Sequence, residues 1–122
     1  MRIEALDHVQ LAMPPGREDE ARAFYTDILG IPELAKPAPL AARGGVWFER
    51  GSLKVHLGVD ANFVPARKAH PAFIVRDLPA LAQRLRAAGC DVVEGRPPPG
   101  FRQIYASDPF GNRLEFLERA PD

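Results

Sequence analysis

The residues of this sequence best suited to chemistry are His8, His56, His70 and Glu115. Imidazole nitrogens and a carboxylate are donors for a borderline divalent ion such as zinc, nickel, iron or manganese. Their spacing carries the argument. His8 and His56 are 48 residues apart, and His70 and Glu115 are 45 apart, as if one pair of donor positions were used twice. All three histidines of the chain fall on this repeat. Glu115 is also the candidate general base, because a carboxylate able to leave a metal can move a proton beside a polarised carbonyl. Tyr105, on the strand next to Glu115, is a candidate to hydrogen-bond a substrate oxygen. Arg67 and Lys68, just before His70, are placed to attract an anionic substrate. Lys54, Gln10 and Arg113 share the strand parity of the proposed donors and are candidates to line the same cavity. Trp47 and Phe48 are adjacent, so one faces the core and the other the cavity; the sequence leaves open which.

The elements that must position these groups follow from periodicity. Residues 7–13 alternate, with Val9, Leu11 and Met13 on one side and His8, Gln10 and Ala12 on the other, which predicts a half-buried strand. Residues 17–29 change to a helical period, with Ala21, Phe24, Tyr25 and Ile28 on one face, and Gly30 ends the helix. Residues 31–42 predict one short strand and then a loop carrying Pro37 and Pro39. Two strands follow, 46–49 and 53–59, joined by a tight turn at Arg50-Gly51-Ser52. A similar order then recurs. Residues 70–75 predict a strand, and Asp77 caps a helix with Pro79 in its first turn and an apolar stripe of Leu78, Leu81, Leu85 and Ala88. Val92-Val93, 102–106 and 113–118 predict the remaining strands. The chain thus repeats a strand-helix-strand-strand-strand unit within one domain spanning 1–122. Module one covers about 5–59, a linker about 60–68, and module two about 69–118. Parity places His56 opposite Leu53, Val55 and Leu57, and Glu115 opposite Leu114 and Phe116. The four donors therefore belong to the helix-free, concave side of an α+β fold.

Composition narrows the partners. The chain has 122 residues, 16 basic and 16 acidic side chains, and one cysteine. Neutral charge argues against nucleic acid, since no basic excess exists to neutralise phosphates. One cysteine forbids an intrachain disulfide and suits a reducing cytoplasm; Cys90 is expected to be a small core residue. No apolar run approaches the ~18 residues of a membrane span, and the first residues lack a secretory h-region. A soluble, intracellular, well-packed domain is the expectation that remains.

Four stretches resemble a known family: Asp7-His8-Val9; Ala23-Phe24-Tyr25-Thr26-Asp27-Ile28-Leu29-Gly30; Ala69-His70-Pro71-Ala72-Phe73; and Asp108-Pro109-Phe110-Gly111-Asn112-Arg113-Leu114-Glu115-Phe116. Together they look like the vicinal oxygen chelate superfamily, which includes glyoxalase I, fosfomycin-resistance proteins, extradiol dioxygenases and bleomycin-binding proteins. The closing block is the most specific. The resemblance implies two βαβββ modules forming a U-shaped sheet around a metal, whose shell the substrate completes through two oxygens. The glyoxalase I pattern maps its ligands to His8, His56, His70 and Glu115, although it usually has glutamate or glutamine where His56 stands. Fosfomycin-resistance proteins and extradiol dioxygenases use a His-His-Glu set, matching His8, His70 and Glu115 and leaving His56 spare. The implied activity is hemithioacetal isomerisation of the lactoylglutathione lyase type, with Glu115 shuttling the proton. Thiol addition to an epoxide comes second, because residues 94–100 lack the serine of the usual monovalent-ion site. A metal-free, drug-sequestering protein of the bleomycin-resistance type is the non-enzymatic alternative. The resemblance also implies a homodimer with sites shared between chains.

Overall fold

A computed structural model describes residues 1–121. The chain divides into two compact units, Met1–Val64 and the remainder from Pro65. Each unit builds one four-stranded mixed sheet, and the two sheets have the same plan.

In the first unit, β1 (Val9–Met13) lies parallel to β4 (Leu53–Val59), β3 (Val46–Arg50) pairs antiparallel with β4, and β2 (Glu33–Leu34) closes the far edge. A parallel pair needs a crossover, and residues 18–28 supply it as α1 (Glu18–Arg22) followed by a wider turn over Ala23–Ile28. The sequence predicts one regular helix from 17 to 29. Instead the Leu29 amide reaches the Phe24 carbonyl, five residues back, at 3.0 Å. In this widened turn Phe24 and Tyr25 are both buried, the Tyr25 ring stacking on Phe48 at 5.2 Å. Glu18, Asp19 and Glu20 occupy the first turn, where negative charge complements the helix dipole. A second difference is α2 (Ala38–Ala41), where a loop is expected. Pro39 sits in its first turn, where no amide donor is needed.

The second unit repeats the order. Strand β5 (Ala72–Ile74) lies parallel to β8 (Arg113–Arg119), β7 (Phe101–Ser107) is antiparallel to β8, and β6 (Val93–Glu94) is the edge. The crossover is α3 (Leu78–Ala87). Its cap is the predicted one: the Asp77 carboxylate accepts from the Ala80 amide at 3.2 Å. Its buried face is Leu78, Ala82 and Leu85, so Ala82 takes the inward place expected of Leu81, and Ala88 is exposed.

Burial follows parity in both sheets. One face of the first carries Met13, Val46, Phe48, Val55 and Leu57 into the core with α1. The matching face of the second carries Ile104, Ala106, Leu114 and Phe116 against α3. The opposite faces hold the polar groups. Among the described residues no helix is long and apolar enough to cross a membrane.

Candidate metal centre

The second unit shows how the chain aims two donors at each other. The turn at Asp108-Pro109-Phe110-Gly111-Asn112 sets the register of β7 against β8. The Asp108 carboxylate is buried and accepts from the Phe110 and Asn112 amides and from the Asn112 side chain, each at 2.9 Å. Gly111, at φ +91°, takes a left-handed conformation that side chains rarely adopt. In the resulting register Tyr105 faces Glu115 and Ser107 faces Arg113. Four polar side chains therefore share the face away from the core.

His70 precedes β5, whose Ala72 pairs with Glu115 across the parallel ladder. Its Nε2 stands 2.9 Å from Glu115 Oε1, and its Nδ1 stands 2.8 Å from the Lys68 carbonyl. A carbonyl only accepts, so Nδ1 carries the proton in that bond. Nε2 then presents a lone pair to a carboxylate oxygen unless a cation stands between them: a second proton or a metal. A separation of 2.9 Å is that of a charge-assisted hydrogen bond between a protonated ring and a carboxylate. Donors on a tetrahedral ion with bonds of ~2.1 Å stand about 3.4 Å apart, so the pair would take up a divalent ion by opening slightly.

The other Glu115 oxygen is held as well. Gln103 Nε2 donates to Oε2 at 2.8 Å. Burial pushes the Glu115 carboxyl up, but hydrogen bonds from Gln103 and Tyr105, joined by one from His70 when its Nε2 also carries a proton, outweigh it and hold the group below its usual value. The carboxylate stays ionised. Gly95 makes this arrangement possible, since a Cβ there would stand 2.8 Å from Gln103 Cδ and 2.8 Å from Tyr105 Cε2.

The first unit brings His8 and His56 together differently. Their rings stack at 4.4 Å, and Trp47 stacks on the far side of His56 at 4.2 Å. Phe48 is thus the core residue of the adjacent pair and Trp47 the polar-face one. His56 is buried, and its Nε2 lies 2.6 Å from Glu49 Oε2. His8 is more open, with Nδ1 3.0 Å from Asp7 Oδ2. A carboxylate on Nδ1 leaves Nε2 as the donor nitrogen, an arrangement common to metal-binding histidines. The His8 contact, aided by Lys54, lowers the Asp7 pKa. Lys54 Nζ is 3.5 Å from Asp7 Oδ1, so Lys54 is engaged with that carboxylate. Among the described residues no group of three histidine, cysteine or acidic side chains is drawn close enough to hold an ion. Each unit offers two donors.

Arg67, Tyr105 and Arg113 line one cavity of the second unit. Three residues escape a search for donor types, namely Glu49, Gln103 and Gly95. Strand parity carries a signal for the first two: Glu49 shares its strand face with Trp47, and Gln103 shares its face with Tyr105. For Gly95 the sequence offers none.

The sheet plan matches known proteins. The family model of the Glyoxalase/Bleomycin resistance protein/Dioxygenase superfamily matches residues 5–116. The chain belongs to that superfamily, whose members bind small molecules and commonly use divalent metals and form dimers. A solved Bacillus anthracis structure assigned to the glyoxalase family is 46% identical with a TM-score of 0.92, covering 98% of each chain. A lactoylglutathione lyase from Agrobacterium tumefaciens is 26% identical with a TM-score of 0.71, over 96% of this chain and 95% of that one. The fosfomycin resistance protein FosX from Listeria monocytogenes is 19% identical with a TM-score of 0.78, over 98% and 96%, a likeness of fold. No curated protein matches the sequence.

Proposed function

We propose that this protein is a divalent-metal-dependent enzyme of the glyoxalase type, acting on a small substrate that offers two oxygens. One observation supports it above the others: with Nδ1 committed to the Lys68 carbonyl, His70 Nε2 faces Glu115 Oε1 at 2.9 Å, an arrangement that a metal ion satisfies, as a second proton on the ring also would. On this reading His70 and Glu115 are two donors to the ion, and His8 is the third. His56 becomes a fourth only by releasing Glu49, so it serves first as the ring against which His8 stacks. The homodimer and the shared site belong to this proposal, since each unit carries a partial donor set. So does a cytoplasmic location.

When bound, the ion would polarise a substrate carbonyl or hydroxyl and lower the pKa of the adjacent carbon acid. The chain supplies the rest. Glu115, ionised and partly desolvated, accepts a proton at the carboxylate oxygen nearer the substrate and returns it to the neighbouring carbon, as hemithioacetal isomerisation requires. Gln103 holds the Glu115 carboxylate in place, and Tyr105 stands opposite it across the ladder. Thiol addition to an epoxide is the second reading, favoured by one feature: the engagement of His56 with Glu49 leaves the three-donor set of His8, His70 and Glu115.

The test uses protein purified without a histidine tag. Elemental analysis should find a divalent metal, and thermal unfolding should rise with nickel or zinc and fall with a chelator. No metal and no shift would exclude the enzyme. If metal binds, methylglyoxal–thiol adducts should isomerise. Inactivity there, with turnover of an epoxide and thiol, would move the assignment to the second reaction. Light scattering should give a dimer; a monomer that still held one metal tightly would exclude the shared site.

A further inference from the structure

A cavity of about 460 Å³ lies on the second unit, and Arg67, Tyr105, Ser107 and Arg113 are among the residues that line it. The two arginines make no ion pair among the described residues. The Arg113 guanidinium instead lies over the Tyr105 ring, its central carbon 4.2 Å from the ring centroid. The same ring meets His70 edge-on at 5.7 Å, and Tyr105 stands opposite Glu115 across the β7–β8 ladder. Tyr105 is therefore a wall shared by the cavity and the donor pair. The register fixes how they adjoin: Tyr105–Glu115 and Ser107–Arg113 are neighbouring pairs on one face of the β7–β8 ladder. Alternate residues of a strand lie about 7 Å apart, which is the length of a small organic acid. Among the described residues Asp91 is the only acid lining the cavity, against two arginines, so the charge balance there is positive.

We propose that this cavity binds the oxyanion end of the substrate, a carboxylate or phosphate group held by the forked guanidinium of Arg113 and by Arg67, with the Ser107 hydroxyl as a further donor. The substrate class is then a small organic anion whose oxygen-bearing end lies about 7 Å away, at His70 and Glu115. A fork of parallel N–H donors matches both kinds of oxyanion. The placement of that second end rests on the metal-centre reading; the anion site itself does not.

The experiment uses full-length, chelator-treated protein and two probes, inorganic phosphate and acetate. Amide resonances of residues 105–108 and 110–113 are followed by NMR as each probe is added. At least one probe should give saturable shifts, and the stronger identifies the group the cavity prefers. Arg113→Gln and Arg67→Gln should each weaken binding about tenfold or more, and Arg113→Lys, which keeps the charge but not the fork, should fall between. Arg67 is exposed, so its variant isolates anion binding from folding. Nickel affinity, measured by calorimetry on the same variants, should stay within about threefold of the parent. Absence of saturable shifts, or equal binding in the Arg67→Gln and Arg113→Gln proteins, overturns the site. A protein that binds phosphate but takes no nickel upholds the cavity while removing the metal reading.

Discussion

Replacing Gly95 with alanine should disable a carboxylate it does not touch. The backbone at Gly95 is not left-handed, so the substitution adds no conformational strain and acts through space alone. The new Cβ would stand 2.8 Å from Gln103 Cδ and from Tyr105 Cε2, well inside van der Waals contact. Gln103 would have to swing away from Glu115 and give up its 2.8 Å bond to Oε2. A hydrogen bond to a charged group contributes about 1.5–3 kcal/mol, so Gly95→Ala should cost at least that. The mechanism is separable from a simple clash by a double-mutant cycle with Gln103→Ala, read by urea unfolding. If Gly95→Ala acts by displacing Gln103, the part of its cost that comes from the lost bond should vanish once Gln103 is gone, giving a coupling of roughly 1.5–3 kcal/mol, while the contact with Tyr105 remains in both backgrounds. Metal affinity should fall in step, by about 10–100-fold, as for loss of other groups that orient a ligand. Additivity within ~0.5 kcal/mol would refute the reasoning.

Other outcomes follow from the same structure. Phe48→Ala removes a fully buried ring stacked on Tyr25, and denaturant unfolding should show a loss of about 3–5 kcal/mol. Asp77→Ala deletes the α3 cap to Ala80 and places a Cβ-bearing apolar residue at φ +67°; a loss of ~1 kcal/mol or more is expected, with Asp77→Asn largely spared because asparagine caps and tolerates that conformation. Burial, with the Asp91 charge adding to it, pushes the Cys90 thiol up. At pH 8 less of it is thiolate than in an ordinary cysteine, so iodoacetamide should label the native protein more slowly than the urea-unfolded one, the rate still climbing above pH 9; equal rates would contradict the shift.

Much of the fold was legible because periodicity of two and of 3.6 is written in the side chains that must be buried. Val55 and Leu57 against His56, and Leu114 and Phe116 against Glu115, fall on opposite faces as alternation requires. The Asp77 cap was legible for a local reason, since it is completed three residues on, at Ala80. What was hidden depends on packing. The widened turn at residues 23–28 accompanies the burial of adjacent Phe24 and Tyr25, which a helical stripe does not reveal. The choice between Trp47 and Phe48 was a matter of register against β4, where Trp47 faces His56. In the candidate site the donors announce themselves by residue type. Their holders, Glu49 and Gln103, are ordinary polar strand residues until the ladder sets them beside His56 and Glu115.

The most direct measurement is calorimetric titration of nickel into chelator-stripped, tag-free protein, alongside His70→Ala and His56→Gln. The account predicts saturation near one ion per chain, loss of about 100-fold or more in affinity for His70→Ala, and a change of no more than about tenfold for His56→Gln. Saturable binding that His70→Ala leaves intact, or no saturable binding in the parent, would contradict the assignment of a cation to the gap between His70 and Glu115.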